Sequence, residues 1–197
     1  MQKKHFASAV LAVLCSGMLL TSLPAAADEH YDVYNYDRWN EPIPSQAGYQ
    51  ATRSVSGKDL GIGDLSEPSD LFVDTEDRLY IVDTKNNRIV VTDPGLTEVE
   101  KVMEHFTMPD GSTTTLKAPE GIYVAPETGL IYIADYSNSR VLVTDYDGNV
   151  QMEVTKPESE LFSSELTFLP QKVLADKAGN IYIVLGNITT GAAMFNA

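Results

Sequence analysis

A fifteen-residue stretch occurs twice, as LYIVDTKNNRIVVTD at 79–93 and as IYIADYSNSRVLVTD at 131–145, with eight of the fifteen positions identical. Each copy follows a proline, in PSDLFVD from Pro68 and PEGIYVA from Pro119, and a third copy, PQKVLADKAGNIYIV, begins at Pro170. The prolines are 51 residues apart both times. Repetition at this period restricts the chain to a row of similar units, each of which buries apolar surface against its neighbours.

Alternation and turn chemistry place the strands inside a unit. In the first, strands are predicted at 70–74, 78–83, 88–93 and 97–106, with TED closing the first hairpin. A four-stranded antiparallel meander recurring at this interval is the unit of a β-propeller. The predicted fold is all-β, with four-stranded antiparallel blades over 68–118, 119–169 and an incomplete 170–197. A closed propeller takes about 4 to 8 blades. Some 2.5 to 3 blades are therefore expected to be the N-terminal portion of a longer protein. YQATRSVSG (49–57) alternates and is predicted as a further strand, able to pair with a last blade.

The unit resembles the NHL repeat: a proline, an apolar strand, an apolar strand closed by Asp, an Asn-rich turn, an Arg, and a third strand. The resemblance covers about 65–197. With the Tyr-rich YDVYNYDRWNEPIPSQAGY after the leader, the layout is similar to exported NHL proteins of Gram-positive bacteria, some of which continue into a Yip-type membrane domain. The resemblance implies NHL-type blades.

The first 27 residues, with Lys3 and Lys4, an apolar run, and small residues at Ala25 and Ala27, read as a secretory signal cleaved after Ala27. The product is expected to be secreted or held in the cell envelope. Residues 28–64 are predicted to be a Tyr-rich arm with the closing strand, ahead of blades over 65–197. The one cysteine, Cys15, lies in the leader behind Leu14, where a lipidation signal needs a small residue. Losing the leader moves the net charge from −14 to −16, which makes nucleic acid and anionic membranes poor partners. A downstream membrane anchor is left open.

Asp83 and Asp135 end a strand, and Arg88 and Arg140 begin the next one, five residues later. Asp in such a place accepts backbone N–H groups within the turn, and Arg reaches back across the hairpin to a carboxylate. These four are predicted to be structural turn residues, each Asp worth on the order of 1 kcal/mol. The third copy has Leu185 and Thr190 there, which argues against a site needing the pair in every blade. The turns share a propeller face with the linkers MPDGSTTTLKA and SSELTFL, and loops on a rigid scaffold concentrate binding residues. Lys85, Asn86, Asn87, Tyr136, Ser137 and Asn138 are the predicted ligand contacts.

Other patterns point to no reaction. DTED (74–77) lacks the spaced oxygen ligands and glycine of a calcium loop and reads as a hairpin turn. His30 and His105 stand far apart with no cysteine beside them, so no metal site is expected. No G-x-S-x-G elbow occurs. Tyr80, Tyr132 and Tyr182 sit at equivalent strand places and read as packing residues. Asn187, in an NIT sequon, reads as a plain turn. The rings Tyr31, Tyr34, Tyr36 and Trp39 read as an extended arm packed over a blade, with sugar stacking as the alternative.

The expected function is a noncatalytic exported scaffold that binds protein or glycan through its loop face, without catalytic residues or cofactor. The alternative is a propeller-type hydrolase or lyase, such as a metal-dependent lactonase, completed by blades beyond Ala197.

Overall fold

A computed structural model describes residues 34–44, 52–159, 162, 165–187 and 191–196. The leader, its cleavage point and Tyr31 lie outside the described residues. The chain divides into two units, Met1–Arg53 and Ser54–Ala197.

In the first unit, β1 (Tyr34–Tyr36) pairs antiparallel with β2 (Pro42–Pro44), so residues predicted as an extended arm form a short hairpin instead. Asp37 makes the turn. Its carboxylate accepts the N–H groups of Trp39 and Glu41 at 2.8 and 2.9 Å, and the Arg38 guanidinium stacks on the exposed Trp39 ring at 3.8 Å.

Among its described residues, the second unit contains two four-stranded blades and three strands of another. The first blade has the order β3 (Pro68–Val73), β4 (Leu79–Asp83), β5 (Arg88–Thr92) and β6 (Val99–Met103). A hairpin follows, β7 (His105–Thr107) with β8 (Thr113–Thr115). The second blade is β9 (Pro119–Val124), β10 (Ile131–Asp135), β11 (Arg140–Thr144) and β12 (Val150–Val154), and the third is β13 (Pro170–Ala175), β14 (Ile181–Leu185) and β15 (Ala193–Phe195). All neighbouring strands within a blade are antiparallel.

Both faces of each blade are apolar, as stacking requires. Tyr80, Val82, Ile89 and Val91 of the first blade meet Ile122, Ile131, Ile133 and Leu142 of the second in one buried cluster. The other face of the second blade, with Tyr132, Ala134, Val141 and Val143, meets Val173, Ile181, Ile183 and Leu185 of the third. Alternate residues on a strand point to opposite faces, so in β10 Ile131 and Ile133 face the first blade while Tyr132 and Ala134 face the third.

Three predictions fail locally. The fourth strand, expected to run to Phe106, stops at Met103, and the expected linker loop at 108–118 contains β8. The cause is Phe106, which with Leu116 inserts into the seam between the first two blades, so the segment between them folds as a hairpin. The Thr107 N–H bonds the Gly148 carbonyl at 2.9 Å and fixes this hairpin to the second blade. The strand expected at 49–57 is absent over 52–56, which leads into a turn from Gly57, and 49–51 lie outside the described residues.

The first strands of the three blades lie side by side. Lys172 Nζ reaches the carbonyls of Ser69 and Glu120, each at 3.0 Å, and the Asp70 carboxylate at 3.1 Å, tying the third blade to the other two. β9 and β13 approach so closely at Gly121 that a Cβ there would collide with the Gln171 carbonyl oxygen.

Candidate functional site

The turn between the second and third strands of a blade is a single 3-10 turn, Thr84–Asn86 in the first blade and Tyr136–Asn138 in the second. Each ends on a left-handed residue, Asn87 or Ser139, both with φ 56°. Beneath the turn lies a fully buried aspartate. Asp83 Oδ1 accepts the Ser66 N–H at 2.7 Å, and Oδ2 accepts Asn86 Nδ2 and Arg88 Nε, both at 2.8 Å. Asp135 repeats this with the Lys117 N–H at 2.7 Å and with Asn138 and Arg140 at 2.8 Å.

The motif is thus Asp-x-x-Asn-x-Arg, and all three side chains also hold the linker that enters the same blade. Asn86 donates to the Asp64 carbonyl and Asn138 to the Thr115 carbonyl, at 2.9 and 3.1 Å. Arg88 Nη2 donates to the Ile62 carbonyl at 3.1 Å, while Arg140 Nη2 donates to Thr114 Oγ1 and the Thr115 carbonyl at 2.9 and 3.1 Å. Residues 62–66 have no strand partners, and the clamp satisfies their backbone groups, while in the second blade it holds the end of β8 and the residue Lys117 beyond it.

The third blade keeps part of the device. Leu185 replaces the aspartate and is buried in the core. Asn187 Nδ2 still donates to the linker, at the Thr167 carbonyl (2.8 Å), and the Gly186 N–H bonds the Leu169 carbonyl (2.9 Å). Thr190 lies outside the described residues.

The six predicted ligand contacts therefore fall into two groups. Asn86 and Asn138 commit their amide nitrogens to the clamp, and Asn87 Oδ1 accepts the Ala118 N–H at 2.8 Å, holding the linker to the next blade. Lys85 is exposed, 3.6 Å from Glu67, and Ser137 is exposed as well. The half-buried Tyr136 ring lies against the third blade's turn, where a Cβ on Gly186 would come 3.1 Å from its ring. A polar cleft of about 390 Å³ opens beside this second-blade turn, lined by Thr114, Thr115, Lys117, Asn138, Arg140 and Glu153. Thr114, Thr115 and Lys117 lie in the linker that the sequence placed on this face, whereas Glu153 carried no signal. The Arg140 Nη1 to Glu153 distance of 3.5 Å depends on strand register, which no local motif displays.

The DTED segment is occupied by its own hairpin. Asp74 accepts the backbone N–H groups of Glu76 and Arg78, Arg78 Nε, and the Tyr80 hydroxyl, at 2.8 to 3.1 Å. Burial pulls its carboxyl up, but the Arg78 bonds and charge, with the backbone N–H groups, bring it below the ordinary carboxylate range. Tyr182 makes the same bond to Asp176 at 3.1 Å. Tyr132 lacks an aspartate at that place and packs instead on Tyr123, with ring centroids 6.0 Å apart. Among the described residues no cluster of three or more His, Cys, Asp or Glu side chains is placed to hold a metal. His105 is exposed on β7, and His30 lies outside the described residues.

The NHL repeat family model matches residues 116–144. Among solved structures, the chain is similar to Kuenenia stuttgartiensis hydrazine synthase, at 15% identity and a TM-score of 0.50, covering 76% of this chain and 36% of that one. It is also similar to the extracellular domain of a one-component system from B. thetaiotaomicron (15% identity, TM-score 0.45, 66% of this chain and 17% of that one). Virginiamycin B lyase from Staphylococcus aureus is a third (12% identity, TM-score 0.40, 83% and 48%). The chain spans less than half the length of each. No curated protein sequence matches it significantly.

Proposed function

The chain is built of NHL-repeat β-propeller blades, and on that premise we propose that it is an exported, noncatalytic scaffold that binds a protein or a glycan on the face formed by its turns and linkers. The observation that carries this reading is the polar cleft beside the second-blade turn. It offers hydroxyl, ammonium, amide and carboxylate groups within about 390 Å³ on backbone held by buried hydrogen bonds. A rigid set of mixed donors and acceptors suits a ligand rich in hydroxyl or amide groups, and pre-ordered loops lower the entropic cost of binding. The leader-like first 27 residues support export.

The test screens the secreted chain against an oligosaccharide array and a peptide array. Binding is expected in one of them, weakened at least tenfold by Lys117→Ala and by Ser137→Tyr, with melting temperatures unchanged. Binding that ignores both substitutions, no binding in either array, or turnover of a bound compound contradicts the reading.

A further inference from the structure

In the cleft beside the second-blade turn, the hydrogen-bonding groups that folding leaves over are of both kinds and stand side by side. Arg140 commits Nε to Asp135 and Nη2 to Thr114 and Thr115, but its Nη1 meets only Glu153, 3.5 Å away. That separation exceeds a hydrogen bond, so both groups keep capacity for a third. Among the described residues, the exposed Lys117 ammonium has no ion pair or hydrogen bond, and the Asn138 amide oxygen and the Thr115 hydroxyl have no partner. The charges cancel: Arg140 sits on the buried Asp135 at 2.8 Å, and Lys117 offsets Glu153.

We propose that the ligand of this cleft is an uncharged sugar ring with two adjacent hydroxyls, an inference that rests on the scaffold reading above and narrows it. One hydroxyl accepts from Arg140 Nη1 and its neighbour donates to the Glu153 carboxylate, while Lys117 donates to the same ring and Asn138 Oδ1 accepts from it. A hydroxyl is donor and acceptor at once, so it is satisfied where the two alternate. An anionic ligand would need an excess of positive charge that the cleft does not hold, and it would meet Glu153 and a formal net charge of −14. A peptide finds little to read. The apolar lining residue, Leu116, is buried in the seam between the first two blades. The backbone of this wall is already bonded, the Thr115 carbonyl by Asn138 and Arg140, the Lys117 N–H by Asp135, and the Lys117 carbonyl by the Ser137 N–H at 3.0 Å. Strand addition needs such groups free. Every lining residue is described and lies within 114–153, so no wall of the cleft is an end of the chain.

The experiment is calorimetric titration of the chain with glucose, mannose, galactose and xylose hexasaccharides linked so that each ring keeps two adjacent hydroxyls, at low and moderate salt. Hexagalacturonate, which keeps the hydroxyl pair and adds a carboxylate, and the peptides of the array are the other arms. At least one neutral hexasaccharide is expected to bind with the same Kd at both salt concentrations, because no net charge is neutralised. Glu153→Gln is expected to weaken it about tenfold by removing a charged acceptor, and hexagalacturonate to bind more weakly than the neutral sugar. For an anionic ligand the sign reverses: Glu153→Gln tightens binding and salt loosens it. That reversal, a neutral sugar indifferent to Glu153→Gln, or a preference for hexagalacturonate or a peptide that Lys117→Ala abolishes overturns the inference and leaves the scaffold reading standing. No binding in any arm overturns both. If circular dichroism finds Glu153→Gln unfolded, Thr115→Val takes its place at the exposed hydroxyl and is expected to weaken the neutral sugar severalfold; an unchanged Kd there overturns the inference.

Discussion

The two aspartates under the turns do more than the sequence indicated. Read as turn residues, they were expected to be worth on the order of 1 kcal/mol. The structure places Asp83 and Asp135 at 0% exposure, each joined to an almost buried arginine and to a linker N–H. Removing one partner of a buried ion pair strands the other, at about 3–5 kcal/mol. Asp135→Ala is expected to lose that much in urea unfolding. The third blade suggests the repair: with Leu185 in the core and Thr190 in place of the arginine, the pair Asp135→Leu with Arg140→Thr is expected to recover at least half of the loss, since an apolar replacement of a buried pair is often nearly neutral. Three other aspartates, in the turns that close hairpins, link stability to pH. Asp93 is pushed down to about 2, first by the Glu98 backbone N–H at 2.6 Å, against some burial and with help from Thr97 and Gly95. Asp145 and Asp176 are also lowered. A carboxyl depressed by folding stabilises above its unfolded value of about 3.9 and loses that contribution as pH falls through its folded value. Stability is therefore expected to fall between about pH 4 and 2, and Asp93→Asn should flatten that limb of a pH series of melts.

At the scale of elements, the strands were legible because one pattern, apolar residues bounded by proline and Asp-rich turns, recurred at an even spacing. β4 and β5 fall within a residue of their predicted places, and β10 ends at Asp135 and β11 begins at Arg140 as the repeat implied. The β7–β8 hairpin was not legible, since its only signal is Phe106, and a single aromatic residue after a strand reads as that strand's end. Its partner is a seam between blades that exists only after both have folded. The cleft was legible only in part: Asn138 lies in the turn and Thr114 in the linker that the sequence placed on one face, but Glu153 joins them from an outer strand through register alone. Gly121 illustrates the same limit. Nothing local marks it, yet β13 leaves no room for a side chain there. Gly121→Ala must push two strands apart and is expected to cost about 1–3 kcal/mol, measured as a lower urea midpoint.

For the whole molecule, three blades are held together at several radii. The Lys172 bonds tie their first strands, apolar clusters fill the space between sheets, and on the far side Arg78 and Lys101 both lie over the Tyr146 ring, at 4.7 and 4.5 Å from its centre. The functional reading depends on what these blades present: linkers fastened to turns by buried side chains, forming a firm surface. Amide hydrogen exchange at Ser66 and Lys117 tests that claim most directly. Both N–H groups lie in linkers outside any strand, and each is given to a buried aspartate. They are expected to exchange as slowly as the central strands β4 and β10, opening only when the blades unfold. Exchange at the rate of a free loop would contradict the clamp and the rigid binding face built on it.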